Sequence, residues 1–152
     1  MNLINNFENI VSNYENNIAI IDQKGNITYK ELNNEINFLS NLILNKYYDK
    51  FKKQISNESI ISVCIDRSYK FISSIYSILK INCAYCAISY DYPDDRISYM
   101  INDTSSEIII VDNKTENKIK NISDKILINI DKININNKNY NNLEFDIKPN
   151  SL

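Results

Sequence analysis

Three short runs of apolar residues restrict the fold of this chain more than any other feature. Ile60 to Ile65, Ile108 to Val111 and Ile126 to Ile130 consist almost entirely of Ile, Val and other apolar residues. Such runs are typical of parallel strands that are covered on both faces. Stretches with helical periodicity lie between them. The sequence therefore predicts an α/β fold in which strands and helices alternate, with a mostly parallel sheet and helices on both faces.

The middle of the chain, residues 78–100, predicts a helix end, a strand and a second helix start. Apolar residues recur at helical spacing up to Asn82, and Ala84 to Ile88 then predicts a short, largely buried strand. Pro93 and the two acidic residues after it predict a helix that opens at Pro93. The inward positions of the two helices would be Phe71, Ile75, Ile78 and Leu79, then Ile97, Met100 and Ile101, with Asp95 and Arg96 toward solvent or a neighbouring loop.

The N-terminal part predicts a short helix, a hairpin and a long helix. The apolar face of the first helix would contain Phe7, Ile10, Val11 and Tyr14. Ile18 to Ile21 and Ile27 to Tyr29 predict a hairpin whose turn takes its positive φ from Gly25. Thr28 and Glu31 have capping-box spacing. The long helix that starts there would bury Leu32, Ile36, Leu39 and Ile43.

Two polar stretches are predicted to be irregular. Lys46 to Ser59 would carry the chain over the surface to the next strand. Residues 131–142 are Asn-rich and without periodicity, and the segment 131–147 is interpreted as flexible. A short helix is expected at Thr115 to Ile122, between the last two strands.

Composition excludes several functions. With 17 basic and 19 acidic residues the net charge is -2, so we expect neither nucleic acid nor an anionic membrane as a partner. No apolar run reaches spanning length and Met1 to Phe7 does not resemble a secretory signal, so a cytoplasmic location is expected. There is no His, and Gly25 is the one glycine, so the commonest general base and any glycine-rich phosphate loop are missing. The three cysteines, Cys64, Cys83 and Cys86, are interpreted as small core residues, although Cys83 and Cys86 form a CxxC.

The order of residues from 79 to 96 resembles the adenylation domains of nonribosomal peptide synthetases. That family has the pattern Leu-Lys-Ala-Gly-x-Ala-Tyr-x-Pro-Leu-Asp-Pro-x-Tyr-Pro-x-x-Arg. The residues in matching register here are Leu79-Lys80, Ala84-Tyr85, Tyr92-Pro93 and Arg96. The departures are Ile81-Asn82 in place of Ala-Gly, Ala87 in place of Pro, and Ser89-Tyr90 in place of Asp-Pro.

Further segments resemble the same family in the same order. Ile27 to Leu32 and Asn37 to Ser40 resemble its Leu-Thr-Tyr-x-Glu-Leu and Asn-x-Leu-Ala motifs, and Asp66-Arg67-Ser68 its Asp-Arg-Ser. Arg67 could contact a phosphate, but a polar loop leading to a helix N-cap at Ser68 is the preferred interpretation. The resemblance extends to Lys148–Leu152, and it implies that residues 1–152 are the N-terminal part of an adenylation domain, truncated just before the phosphate-binding loop.

The resemblance implies a function for the complete enzyme. It would make aminoacyl-AMP from ATP and an amino acid, with Mg²⁺, and load it onto the phosphopantetheine thiol of a carrier protein. Its partners would be the remainder of the domain and the carrier and condensation domains of a synthetase. No residue of this chain is assigned a catalytic, cofactor-binding or metal-binding role, no cofactor is expected in the fragment, and the fragment alone is expected to be inactive.

Two other interpretations stay open at the level of sequence. The chain could be a non-catalytic α/β scaffold or docking module, or the N-terminal piece of an acyl-CoA or aryl-acid ligase. The acidic group Asp91, Asp94 and Asp95 is interpreted as helix-dipole complement rather than a metal site. Tyr85, Tyr90, Tyr92 and Tyr99 are interpreted as packing residues rather than base-stacking ones.

Overall fold

The structure is a computed structural model, and it describes residues 2–135 and 141–142. Helices and strands alternate along most of this length, as predicted. In chain order the elements are α1 (Leu3–Tyr14), β1 (Ile18–Asp22), β2 (Gly25–Thr28), α2 (Tyr29–Phe51), β3 (Ile60–Cys64), α3 (Tyr69–Lys80), β4 (Ala84–Ala87), α4 (Asp94–Asp103), β5 (Ile108–Val111), α5 (Glu116–Ile122) and β6 (Ile126–Asn129).

Four strands form one parallel sheet in the order β4-β3-β5-β6. The central strand β3 pairs with β4, Ile61 opposite Tyr85, and with β5, Val63 opposite Ile110. β5 pairs with β6 over four residues. Each parallel connection needs a crossover, and α3, α4 and α5 lie in these connections.

Both faces of the sheet are covered, which explains the continuous apolar runs. Alternate strand residues enter two separate cores, because successive side chains of a strand point to opposite faces. One core contains Ile61, Val63, Ile108 and Ile110 from the strands and Leu39, Ile43 and Ile78 from α2 and α3. The other contains Cys64, Ile109 and Val111 with Ile97, Ile101 and Ile119 from α4 and α5. The predicted α/β class is confirmed.

The hairpin and the capping box are also confirmed. β1 and β2 pair antiparallel, with Asp22 opposite Gly25, whose φ is 133°. The Thr28 hydroxyl accepts from the Glu31 N–H at 3.2 Å, and the Glu31 carboxylate accepts from the Thr28 N–H at 2.9 Å. These bonds satisfy two backbone donors at the start of α2. Leu32, Ile36, Leu39 and Ile43 are all buried.

The prediction of a surface connection from Lys46 to Ser59 is wrong for its first part, because α2 continues to Phe51. Tyr47 is buried and its ring lies 4.6 Å from that of Phe51, one turn later. This i, i+4 pair extends the apolar face while the charged residues around it point to solvent. The helix closes at Lys52, which has φ 54° and donates its N–H to the Tyr48 carbonyl.

Three predicted apolar faces differ from the structure. On α1, Ile4 and Phe7 are buried while Ile10 and Tyr14 are exposed, because the helix lies on the core by its first two turns. β4 was expected to be largely buried, but it is the end strand of the described sheet, and Tyr85 is 41% exposed. On α3, Ile78 is buried as predicted, but Phe71, Ile75 and Leu79 are only partly so.

Serines take the most buried positions of α3. Ser73, Ser74 and Ser77 are fully buried. Ser77 donates to the Ile36 carbonyl of α2 at 3.2 Å, and Ser40 of α2 donates to the Ser77 carbonyl at 3.1 Å. Small hydroxyl side chains thus form the centre of the α2–α3 contact.

No helix in residues 2–135 and 141–142 is long and apolar enough to cross a membrane. The end of the proposed flexible segment, from 143 on, and the motif Lys148–Leu152 lie outside the described residues, as do residues 136–140.

Candidate functional site at the carboxyl edge of the sheet

The carboxyl ends of the four parallel strands define one edge, where ligands bind in open α/β sheets. The chain leaves β3 at residues 65–68, β5 at 112–115 and β6 at 130–132. These three loops contain six charged side chains: Asp66, Arg67, Asp112, Lys114, Asp131 and Lys132. We therefore treat this edge as the candidate site.

Asp112 organises the edge. Its side chain is 7% exposed and accepts three backbone N–H groups: those of Asp66 at 2.7 Å, Lys114 at 2.9 Å and Thr115 at 2.9 Å. Thr115 in turn donates its hydroxyl to the carbonyl of Cys64. The carboxylate thus ties the end of β5 to the end of β3, and it is occupied by its own loops.

Asp131 ties the end of β6 to α3. Its carboxylate lies 2.5 Å from the Lys70 ammonium and accepts the Asn113 N–H at 3.0 Å. Partial burial acts to raise the pKa of Asp131, but the Asn113 N–H and Lys70 outweigh it, so the pKa lies below its ordinary value. Lys70 keeps a raised pKa because Asp131 outweighs the effect of burial. Both groups are charged near neutral pH.

A second group of cations lies around Tyr90. The ammonium groups of Lys114 and Lys118 lie 5.4 and 4.8 Å from the centre of its ring. Lys114 pairs with Asp66 at 3.2 Å, which raises the pKa of Lys114 and lowers that of Asp66. Lys118 donates to the carbonyls of Tyr90 and Tyr92 at 2.6 and 2.9 Å. The interpretation of the tyrosines as packing residues agrees with Tyr92, which packs against the core of α4 and α5, but Tyr85, Tyr90 and Tyr99 are 41%, 37% and 68% exposed. The described ring contacts of Tyr90 are cation–π contacts with the two lysines.

Arg96, the last residue of the central motif, also stacks on a tyrosine. Its guanidinium lies 4.0 Å from the ring centre of Tyr92, the residue before Pro93. Arg96 is exposed, as predicted. The spacing of Tyr92 and Arg96 in the motif therefore places an aromatic ring and a cation on the same side of the turn that opens α4.

Arg67 and Ser68 lie at this edge, directly before α3. The Arg67 side chain is exposed, and its N–H donates to Asp66 Oδ1 at 3.1 Å. Ser68 has the backbone position of the N-cap of α3 without a side-chain hydrogen bond. The first N–H of α3, from Tyr69, is instead taken by Asp22 of the hairpin at 2.8 Å, which lowers the pKa of Asp22.

A cavity of about 610 Å³ adjoins the edge. Its walls come from the turn at Lys24, the start of α2, the start of α3 and residues 130–135. Glu35 lies in the wall and is 7% exposed; burial raises its pKa, although the Ser73 hydroxyl donates to it at 2.6 Å. Lys70 and Asp131 pair across the same wall.

The chemistry available here is limited by these internal contacts. The N–H groups of residues 66, 67, 69 and 113–115 are directed to carboxylates of the chain itself. A phosphate would need such donors to be free and convergent. These backbone donors of the edge loops are therefore not free for a nucleoside triphosphate, and no group of three His, Cys, Asp or Glu in the described part of the chain could hold a metal ion.

The three cysteines are free thiols. Burial raises the pKa of Cys64 to about 11 and that of Cys83 to about 12, and Cys86 is half-buried with a raised pKa. Thiols in this state are poor nucleophiles. The interpretation of Cys64 and Cys83 as core residues agrees with their positions in the two sheet cores.

Comparison with known families gives the decisive observation. Residues 7–149 match the family model described as AMP-binding enzyme. The chain belongs to this family. The AMP-binding match covers nearly all of the chain and includes the segments in which the sequence resembles an adenylation domain, except for the last three residues of Lys148–Leu152.

The curated relatives are peptide synthetases. The chain is 31% identical over 113 residues to gramicidin S synthase 2 of Brevibacillus brevis, which covers 74% of this chain and 2% of the relative. It is 25% identical over 148 residues to tyrocidine synthase 1 of Brevibacillus parabrevis, covering 96% and 13%. The AMP-binding chain thus spans a small fraction of these relatives, and the sequence-based resemblance to their adenylation domains is confirmed.

Solved structures share the fold of this AMP-binding chain. The nonribosomal peptide synthetase FmoA3, solved with alpha-methyl-L-serine-AMP bound, superposes with a TM-score of 0.76 at 14% identity, over 87% of this chain and 14% of that one. The anthranilate CoA ligase AuaEII superposes with a TM-score of 0.71 at 15% identity, over 84% and 25%. The described strands and helices are therefore part of an adenylate-forming enzyme fold.

Proposed function

We propose that this chain is part of an amino-acid-activating adenylation domain. The complete domain would join an amino acid to ATP, release pyrophosphate and pass the aminoacyl group from AMP to the phosphopantetheine thiol of a carrier protein. The observation that supports this is the match of residues 7–149 to AMP-binding enzymes, together with peptide synthetases as relatives at up to 32% identity. A cytoplasmic location and carrier and condensation domains as partners belong to the same proposal.

The described residues contribute support rather than chemistry. They build the sheet and fix its carboxyl-edge loops by Asp112 and Asp131, whose carboxylates take the backbone N–H groups of Asp66, Asn113 and Thr115. ATP and Mg²⁺ supply the activating chemistry in the complete enzyme. We therefore expect the residues that hold them to come from outside this chain.

An acyl-CoA or aryl-acid ligase is the second candidate. It is supported by the superposition on an anthranilate CoA ligase, which shows the fold alone. The peptide synthetases among the curated relatives favour the amino-acid-activating class. A non-catalytic scaffold has no specific observation in its favour.

Two experiments test the proposal. ATP–pyrophosphate exchange by residues 1–152 should be absent with each of the twenty amino acids, and exchange above the no-enzyme blank would refute the assignment of the chemistry to other residues. In a chimera, residues 7–149 replace the matching segment of tyrocidine synthase 1. Exchange with the amino acid that the host activates is expected to persist.

The chimera needs a matched control. Asp112→Ala in the transplanted segment should reduce exchange together with folded content, because Asp112 holds the edge loops. A chimera that folds with the circular dichroism of the host but shows no exchange would contradict the proposed function.

A further inference from the structure

Lys80 is a buried cation in the part of the sequence that resembles the central family motif. Its side chain, at the end of α3, is 1% exposed. Its ammonium lies 2.6 Å from Glu8 Oε1 on α1 and 3.1 Å from Oδ1 of Asn142. Burial lowers the pKa of Lys80, and the Glu8 carboxylate opposes that shift. A buried ammonium is tolerated only where neighbouring groups accept hydrogen bonds from it.

The Asn142 side chain is the point at which three donors meet. Its Oδ1 accepts from the Nδ2 atoms of Asn33 and Asn37, each at 3.0 Å, as well as from Lys80. An ammonium has no acceptor, so the Asn142 atom that faces it is the oxygen. Donors from α2 and α3 thus converge on one atom of a residue that follows β6 in sequence.

The contacts span four parts of the chain. Glu8 comes from α1, Asn33 and Asn37 from α2, Lys80 from α3, and Asn142 from the segment beyond the last strand. Of these, Asn142 is an exposed residue, whereas Lys80 and Asn37 are buried. These donors form a small polar site on the helical layer, and the amide oxygen of Asn142 occupies it.

We propose that Lys80 is a positioning residue that holds Asn142 against the layer formed by α1, α2 and α3. This gives the lysine of the Leu79-Lys80 motif a role that the carboxyl-edge site does not. The side chain acts through Asn142 and touches no reacting atom. The inference does not depend on the proposed function.

A double-mutant cycle in the 152-residue chain tests it. Asn142→Ala should lower the equilibrium constant for folding about tenfold in the wild-type background, since it removes a partly buried, charge-assisted acceptor. In the Lys80→Met background it should lower the constant less than threefold, because the strongest donor is already gone. Equal factors in both backgrounds would overturn the proposal.

A matched control is Asn13→Ala. Asn13 is exposed on α1 and donates only locally, to the Asn9 carbonyl at 2.9 Å. Its effect should be the same factor in both backgrounds. The proposal would also be overturned if the factor for Asn13→Ala differed between the two backgrounds as much as the factor for Asn142→Ala does. The coupling to Lys80 would then not be specific to Asn142.

A second measurement decides the matter if Lys80→Met fails to fold. The ¹⁵N-edited spectrum of the lysine ammonium groups is recorded for the wild type and for Asn142→Ala. The buried Lys80 ammonium signal should move in the variant, while the signal of Lys118, which has its partners on the other face of the sheet, stays unchanged. An unmoved Lys80 signal would show that the Lys80 ammonium does not donate a hydrogen bond to Asn142, and it would overturn the proposal.

Discussion

Replacing Asp112 by Ala should destabilise the chain more than any other single change at the carboxyl edge. The substitution leaves three backbone N–H groups without their acceptor. The Thr115 N–H is buried, and an unsatisfied buried donor costs about 1–3 kcal/mol. Those of Asp66 and Lys114 are near solvent and can be hydrated, at a net loss of about 0.5–1 kcal/mol each. The total is about 3 kcal/mol.

Urea denaturation followed by far-UV circular dichroism measures this effect. With a slope of about 2 kcal/mol per M, a loss of about 3 kcal/mol lowers the unfolding midpoint by about 1.5 M. Asp112→Asn keeps one acceptor oxygen, so its midpoint should lie between those of the wild type and Asp112→Ala.

Asp103→Ala is the control. Asp103 is an exposed carboxylate at the end of α4, and its removal should change the free energy of unfolding by less than about 0.5 kcal/mol, or the midpoint by less than about 0.25 M. If Asp112→Ala unfolds at the same urea concentration as Asp103→Ala, the Asp112 carboxylate does not stabilise the edge loops and the reasoning fails.

Three further predictions follow from other contacts. Thr28→Ala removes half of the capping box and should cost about 1 kcal/mol of stability, or about 2–4 °C in Tm. Its control is Ser12→Ala, at an exposed position of α1, which should leave Tm unchanged. Equal Tm values for the two variants would contradict this prediction. The pKa of Asp131 is lowered in the folded state, so its stabilisation is present above about pH 4 and is lost as the pH falls through the lowered value. The midpoint should therefore drop less between pH 6 and pH 3 in Asp131→Asn than in the wild type, and an equal drop would show that the Lys70 pair is not linked to acid unfolding. Iodoacetamide at pH 8 should label Cys86 first, because burial raises the pKa of Cys64 to about 11 and that of Cys83 to about 12. Cys64 and Cys83 should react at comparable rates only in urea. Mass spectrometry counts the labels, and early labelling of Cys83 would refute its burial.

Contacts between residues close in sequence were the most predictable part of the fold. The runs Ile108 to Val111 and Ile126 to Ile130 predict strands because burial on both faces demands apolar residues at every position. The capping box at Thr28 and the positive φ of Gly25 depend on residues within four positions. Local chemistry of this kind is visible in the sequence.

The remaining features depend on partners far apart in sequence. Asp22 caps α3 through Tyr69, 47 residues later, and Asp112 accepts the N–H of Asp66, 46 residues earlier. Nothing in the spacing of these acids identifies the donors. The end of α2 was missed because its charged residues hide the apolar pair Tyr47 and Phe51. At the candidate site the position of Arg67 was predicted, but the occupation of its neighbouring N–H groups was not.

The serine-lined contact between α2 and α3 has a consequence for how sharply the two helices are aligned. Leucine side chains can shift along one another with little penalty, because hydrophobic contact has no preferred direction. Hydroxyl groups must reach particular carbonyls. Ser40 of α2 donates to the Ser77 carbonyl at 3.1 Å, and the single proton of the Ser77 hydroxyl is shared between the Ser73 carbonyl of α3 at 2.6 Å and the Ile36 carbonyl of α2 at 3.2 Å. A slip of one residue along the helix axis, or a rotation of one helix, would therefore break the contacts that Ser40 and Ser77 make between α2 and α3. The offset between α2 and α3 is thus fixed by directional hydrogen bonds rather than by the packing of large apolar side chains.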